Sequence, residues 1–238
     1  MKKKDKNRAL VNLEMDFVDR KFCAKNGVSL DLSFEEFIQE NRRYYQEEED
    51  YDWVEVADHF RGLEAIFHRL RERQASKLVK EFEAGNKFLD AGCGTGLILR
   101  HLPAGSVGLD INQRNTRRAK KHAPRAKLVL GDIQEMPFAD ASFTTIVCTD
   151  VLEHLLEPQK ALEEIFRILA PQGIAIGSVP AQNPIWRLRF LSSTHPGEPY
   201  HRLYKKQEVK ALFDGKGKIL ELKRRCFLMN FFFVVEND

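Results

Sequence analysis

The sequence predicts a doubly wound α/β fold, and three observations carry that prediction. The first is the run Phe88-Leu89-Asp90-Ala91-Gly92-Cys93-Gly94-Thr95-Gly96, where an apolar pair leads through an acid to three alternate glycines and then to Leu97-Ile98-Leu99. It reads as a buried strand, a tight turn and the start of a helix. Glycine is needed there because the backbone takes positive φ, or because a ligand approaches with no Cβ between. The second observation is repetition: the runs Val107-Gly108-Leu109 and Leu128-Val129-Leu130-Gly131 also close on an acid, Asp110 and Asp132. Consecutive strands ending in Asp90, Asp110 and Asp132 set three carboxylates along one sheet edge, the edge where such folds place ligands. The third is the succession of short apolar runs and helical periods through the rest of the chain.

The elements follow in order. Residues 1–32 show no clean period. Ser33-Phe34-Glu35-Glu36 reads as a capping box opening a helix with Phe34, Phe37 and Ile38 on one side. Glu47-Glu48-Glu49-Asp50 reads as a solvated helix end or linker. From Trp53 to Phe82 one helix is expected, because Leu63, Ile66, Phe67, Leu70, Leu78, Val79 and Phe82 recur near three and four. It precedes the first strand, so it should pack on the sheet and partly cover the cleft. Strands are expected at 87–91, 106–110, 127–131, 143–149 and 173–179, with helices at 96–102 and 113–121. Pro158, tolerated in a first turn, opens a helix with Leu162, Ile165, Phe166 and Leu169 on its apolar face. A helix at 207–214 and two runs, 218–226 and 228–236, complete the chain, the runs suiting an antiparallel hairpin at the sheet edge.

Spacing narrows the ligand. A dinucleotide fingerprint reads G-x-G-x-x-G, but here the third glycine comes one residue early and Leu97 stands in its place. No Gly-Lys-Ser/Thr follows the glycines, which excludes a P-loop, and so acidic an edge serves a pyrophosphate poorly.

The ordered set FLDAGCGTG (88–96), VGLDIN (107–112), LVLGDIQEMPFADASFTTIVCTDVLEHL (128–155) and LAPQGIAIGSVP (169–180) resembles the class I S-adenosylmethionine-dependent methyltransferases. Within them it looks like the small-molecule branch that includes quinone-pathway enzymes. The likeness spans roughly residues 60 to 238. It implies a Rossmann-like sheet of seven strands, six parallel and the last antiparallel. Residues 1–60 would form an N-terminal helical lid, and residues 61–238 the methyltransferase domain. The implied cofactor is S-adenosylmethionine, with no metal. The turn of Gly92, Gly94 and Gly96 would lie against its methionine and ribose. Asp90 would order that turn and help hold the amino group. Asp110 would accept from both ribose hydroxyls. The Ile111 N–H would meet the adenine, Asp132 would accept from its amino group, and the Ile133 N–H would donate to the ring. Thr149 would offer backbone to the methionine end. The competing account of these acids is that they cap helices or bind loop amides.

A methyl on a sulfonium is already activated, so the protein mainly aligns the acceptor and excludes water, which supplies roughly 7–11 kcal/mol in favourable cases. A base is needed only where the acceptor carries a proton it does not lose easily. His154 is the candidate; packing and helix starting are the alternative. Asp150 and Glu153 are expected to hold the next helix N-terminus, Asp150 also facing the cleft. The N/D-P-P-Y/F tetrapeptide of amino-group methylases is replaced by Asp150-Val151-Leu152-Glu153-His154. Cys148 lacks the context of an RNA-methylating thiolate and reads as structural, as does Cys93. The insert 181–204 is the expected substrate wall, with Trp186, Arg187, Arg189, Phe190 and His195 along it and Tyr200, His201, Arg202 and Tyr204 as substrate-binding candidates. A core-and-solvent role is the alternative for these residues. Ile185 to Leu191 mixes apolar and basic residues, so a transient membrane-surface contact is a third reading.

Composition sets outer limits. A net charge of +3 with 31% charged residues does not announce a nucleic-acid binder. Cys23, Cys93, Cys148 and Cys226 form no C-x-x-C pair, so no metal site is expected and a reducing compartment, the cytoplasm, is. The basic start carries no signal-peptide core, and no apolar stretch is long enough to span a bilayer. The expected function is methyl transfer to a phenolic, quinone-like or lipid-like small molecule. The alternatives are an RNA or protein methylase and a non-catalytic cofactor-binding regulator. The sequence is silent on oligomeric state.

Overall fold

The computed structural model describes residues 34–60, 62–183 and 200–238. Helix α1 (Phe34–Arg43) runs into a π-helical turn (Tyr44–Glu48), followed by α2 (Trp53–His59) and α3 (Leu63–Phe82). Then come β1 (Phe88–Ala91), β2 (Val107–Asp110), α4 (Gln113–His122), β3 (Lys127–Leu130) and β4 (Phe143–Thr149). The chain closes with α5 (Pro158–Ile168), β5 (Leu169–Pro180), α6 (Lys206–Leu212), β6 (Gly217–Arg225) and β7 (Asn230–Asn237).

The seven strands lie in the order β3-β2-β1-β4-β5-β7-β6. β1 to β5 pair in parallel, whereas β7 runs antiparallel to both β5 and β6. Six strands therefore point one way and β7 the other, as expected. Within the hairpin β7 is the inner strand and β6 the edge. Residues 230–235 of β7 are all buried, while β6 alternates, so the apolar run takes the position covered on both faces. On one face the sheet packs against α5 and α6 through Leu162, Ile165, Val209 and Leu212; on the other, α2, α3 and α4 contribute Val54, Leu78 and Ala119.

Three expectations are corrected. The helix from Trp53 to Phe82 is two helices: Asp52 caps the first by accepting from the Val54 and Glu55 N–H groups, and Gly62, at φ 134°, precedes the second. No α-helix forms at 96–102; turns lead into a 3₁₀ turn at Leu99–His101. Leu97, Ile98 and Leu99 are all buried, so these three residues present no polar face to solvent. The acidic run at 47–50 is not simply solvated, because Glu49 is buried and its carboxylate accepts from the Tyr51 N–H and the Asn115 amide. Ser33 lies outside the described residues, so the capping box stays an expectation.

Candidate functional site

The strand order reverses between β1 and β4, and a cavity of about 980 Å³ opens there at the carboxyl edge. The turn after β1 forms its floor. Leu109 accepts from the Gly92 and Cys93 N–H groups at 2.8 and 2.9 Å, and Asp110 Oδ2 accepts from the Gly94 N–H at 2.8 Å. Gly92 and Gly94 take φ +75° and +51°; a Cβ would stand 2.5 Å from Val151 at the first and 3.2 Å from the Trp53 ring at the second. Both positions thus need glycine for conformation and for space. Gly96 is different: its Cβ would meet Ala119 of α4 at 3.3 Å, and it lies outside the cavity wall. It serves helix packing, which corrects its assignment to the cofactor.

Asp90, Asp110, Ile111, Asp132, Ile133 and Thr149 all line the cavity. Asp110 accepts from the Asn112 N–H at 2.9 Å as well as from Gly94, so it does bind loop amides; a carboxylate has lone pairs left for a ligand. Burial raises its pKa against the pull of those donors. Asp90 is pushed up to about 7 by burial and by the neighbouring charge of Asp110, with the Leu99 backbone and Arg71 pulling the other way. Its Oδ2 is buried and has no hydrogen-bond partner. Asp132 accepts from the Gln134 N–H at 2.8 Å and pairs with Arg42 of α1 at 3.0 Å.

The N-terminal elements roof this cavity through contacts that the sequence reading missed. Asn112 caps α4, accepting from the Arg114 and Asn115 N–H groups, and its amide donates to the carbonyls of Tyr45 at 2.9 Å and Glu49 at 3.0 Å. The Asn41 amide donates to the His154 carbonyl at 2.8 Å, and the Tyr45 hydroxyl lies 2.7 Å from His154 Nδ1. Arg71 of α3 meets Asp150 at 2.5 Å. Asp150, at φ +52°, also accepts from Ser178 and from the Asn230 amide, so it anchors α3 to the sheet and does not hold a helix N-terminus. The Asn at position 112 was legible as a cap; Tyr45 sits in a polar run with no signal around it.

His154 occupies a 3₁₀ turn (Leu152–His154) beside His201, their ring centroids 5.3 Å apart. Tyr44, Tyr45, Phe227 and Met229 also line the cavity. Of the four substrate-binding candidates only His201 lines the cavity. Tyr200 is buried against Phe37, Arg202 pairs with Glu208 and lies over the Tyr204 ring, and Tyr204 is fully buried with its hydroxyl donating to Leu152. The reason is the bridge between Ala181 and Tyr204, which draws this segment into the core beside β5. Trp186, Arg187, Arg189, Phe190, His195 and the basic-apolar run 185–191 lie outside the described residues, as does Cys23. Cys93 and Cys148 are buried and their thiols are held well above the ordinary range by burial.

Residues 89–177 match the methyltransferase domain family. A probable S-adenosylmethionine-dependent methyltransferase of Mycolicibacterium smegmatis is 31% identical over 124 residues, which is 51% of this chain and 45% of that protein. The 24-methylenesterol C-methyltransferase 2 of Oryza sativa is 33% identical over 118 residues, 45% of this chain and 32% of its own length. The ubiquinone biosynthesis O-methyltransferase of Psychrobacter cryohalolentis is 30% identical over 111 residues, 42% and 43% of the two chains. These matches span less than half of each curated relative. Among solved structures, the N-methyltransferase NodS of Bradyrhizobium japonicum with S-adenosylhomocysteine shares the fold at TM-score 0.61 and 17% identity, covering 84% of this chain and 98% of that one. Sequence motifs, sheet order and the matched domain converge: the chain carries a methyltransferase domain on the class I S-adenosylmethionine-dependent methyltransferase fold.

Proposed function

We propose that this protein moves a methyl group from S-adenosylmethionine to a hydroxyl of an apolar, phenolic or quinol-like small molecule. One observation carries the reading: one cavity is lined both by strand-end acids and the glycine turn (Asp90, Asp110, Asp132, Gly92, Gly94) and by aromatic and histidine side chains (Tyr45, His154, His201, Phe227). At about 980 Å³ it stands at the top of the roughly 300–1,000 Å³ range of small-molecule sites, so it has room for two ligands end to end.

The acids and the glycine turn fit the cofactor. Asp90 Oδ2 and Arg71 Nε are buried in the wall without hydrogen-bond partners, an acceptor for an ammonium and a donor for a carboxylate. Asn115 Oδ1 is a third unpartnered buried atom, beside Asp110, where a ribose hydroxyl would find two acceptors. In this reading Ile111, Asp132 and Ile133 hold the adenine, with Arg42 moving off Asp132 as the roof admits it. When bound, the cofactor supplies an electrophilic methyl on a sulfonium. The protein contributes alignment, a dry roof of α1 and the π-turn acting as a lid, and His154 with its neighbours for the proton. The names of the sterol and quinone-pathway relatives agree with a flat apolar acceptor. The aromatic and histidine lining favours an oxygen that must shed a proton over an amine.

Methyl-labelled S-adenosylmethionine, incubated with the protein and a cell extract, should leave label in the organic-extractable fraction as a methyl ether. Label in RNA or protein would overturn the acceptor class, and none, with S-adenosylhomocysteine bound, would leave a non-catalytic regulator. Asp110→Ala should weaken S-adenosylhomocysteine binding by about 1.5–3 kcal/mol, as for hydrogen bonds to a charged group. Unchanged affinity by titration calorimetry would remove Asp110 from the ribose site.

A further inference from the structure

We propose that the tip of the β6–β7 hairpin and the outward side of α3 form a docking surface for an anionic lipid bilayer, from which the cavity takes its acceptor. The inference rests on the apolar-acceptor reading above and adds the place where that acceptor is collected. β6 runs parallel to β1–β5, so it ends at the carboxyl edge where the cavity opens. In the loop 226–229 that follows, the Met229 N–H donates to the Cys226 carbonyl at 3.1 Å. Phe227 and Met229 line the cavity, whereas Leu228 between them does not. Phe227 is 64% exposed and Leu228 56%.

This loop is built against local preference. Cys226, Phe227 and Leu228 take φ of 52°, 57° and 63°, three successive residues with side chains in the left-handed region. Hairpin turns of this hand favour Asn-Gly, because a Cβ there crowds the following carbonyl oxygen. A bulky apolar pair at the centre of the turn is therefore strained and exposed at once. Outliers of this kind cluster where a chain meets a ligand.

α3 continues the surface. The Arg225 guanidinium donates to Gln74 Oε1 at 3.1 Å, and Cys226 shares an apolar cluster with Ala75 and Leu78, so the hairpin lies against this helix. Gly62, Glu64 and Phe67, at the start of α3, line the cavity. Ile66, Arg73 and Lys77 fall on one side of the helix by their spacing, and all three are exposed. Phe60, 56% exposed, is tied to that side by Arg69, which donates to its carbonyl at 3.3 Å. Arg224 is exposed just before the tip, over the Phe231 ring at 4.8 Å. Arg73, Lys77 and Arg224 are in no ion pair among the described residues. Apolar side chains accompanied by cations match the layers of an anionic bilayer, the first entering hydrocarbon and the second meeting headgroup phosphates. An apolar acceptor dissolved in that bilayer would reach the cavity past Phe227 with little exposure to water. None of these residues belongs to the run 185–191.

Co-sedimentation of the full chain with vesicles tests this, using phosphatidylcholine alone and phosphatidylcholine mixed equally with phosphatidylglycerol. The expected result is binding to the mixed vesicles that is weaker on phosphatidylcholine alone and weakened by added salt. Leu228→Gly removes the apolar side chain and the left-handed strain together. It should lower vesicle affinity by about tenfold, from lost apolar burial, while its urea midpoint does not fall. Arg73→Gln combined with Lys77→Gln should lower vesicle affinity by about fivefold for each cation. Affinity for S-adenosylhomocysteine should be unchanged in both variants, because none of the three residues lines the cavity. No binding to the mixed vesicles, or binding that either variant leaves intact, would overturn the proposal. Retention of a short RNA duplex in place of vesicles, lost with the same cations, would overturn the lipid assignment and make this a nucleic-acid surface. Vesicle binding is read without an acceptor and methyl transfer to catechol without vesicles, so a failure to methylate catechol counts against the acceptor reading alone.

Discussion

Replacing Arg71 with methionine should lower the free energy of unfolding by about 3 kcal/mol, towards the lower end of the 3–5 kcal/mol lost when one member of a buried ion pair is removed. The two side chains are 10% and 11% exposed and meet at 2.5 Å, so the substitution strands a carboxylate that water barely reaches. The loss falls at the lower end because Ser178 and Asn230 still donate to the orphaned Asp150. Asp150→Asn added to Arg71→Met should recover most of it, since the double change removes the unpaired charge and leaves a neutral amide between the same neighbours. Urea denaturation of the two single variants and the double would measure the coupling; additive losses would show that the pair carries no interaction of its own. The same substitution removes Arg71 Nε, a buried and unpartnered donor in the cavity wall. Cofactor affinity should therefore stay low in the double variant even as stability returns. That separation matters, because a residue that merely braced α3 would recover both together.

The sheet was legible because its signals are local. Each of the first three strands closes on an acid after an apolar run, and the turn after β1 needs glycines that no side chain could replace. The breaks were less so. The periodicity of Trp53–His59 continues in phase enough with that of Leu63–Phe82 to hide Gly62 between them. Leu97 to Leu99 look like the start of a helix until their burial on every side is known. That Asp90, Asp110 and Asp132 would meet at one cavity was readable, because backbone turns and strand ends fix where they go. The placement of residues 200–204 was not. Tyr204 and His201 are three residues apart and equally plausible as ligands, yet one is drawn into the core by its bridge to Ala181 and the other faces the cavity. Tyr45 and Asn41 reach the site across more than a hundred residues of sequence, a distance at which neither period nor composition carries information.

Affinity for S-adenosylhomocysteine should fall as pH drops below about 7, by up to tenfold per unit, because Asp90 must be ionised to receive the amino acid ammonium. The sign follows from burial. Asp90 has its folded-state pKa pushed up to about 7, by burial first and by the charge of Asp110 second. Between its ordinary carboxylate range and pH 7, the unliganded protein therefore holds a proton that the unfolded chain does not. For this group, stability of the unliganded protein falls as pH rises through that window and is level above it. An ammonium at Oδ2 reverses the balance: it favours the carboxylate, returns the pKa downward and expels the proton. Binding near pH 7 should consequently release about half a proton. Calorimetry in two buffers of different protonation enthalpy would read that release directly. Asp90→Asn, isosteric and without charge, should bind more weakly above pH 7 but lose the slope below it, isolating Asp90 from every other group. A slope that survives in the variant would assign the proton elsewhere. If the slope is lost, the unpartnered oxygen at the end of β1 is a charge withheld until the ligand arrives. The cost of burying it is then recovered on binding, which makes retention of the cofactor dependent on the same buried edge that the three strand-end acids create.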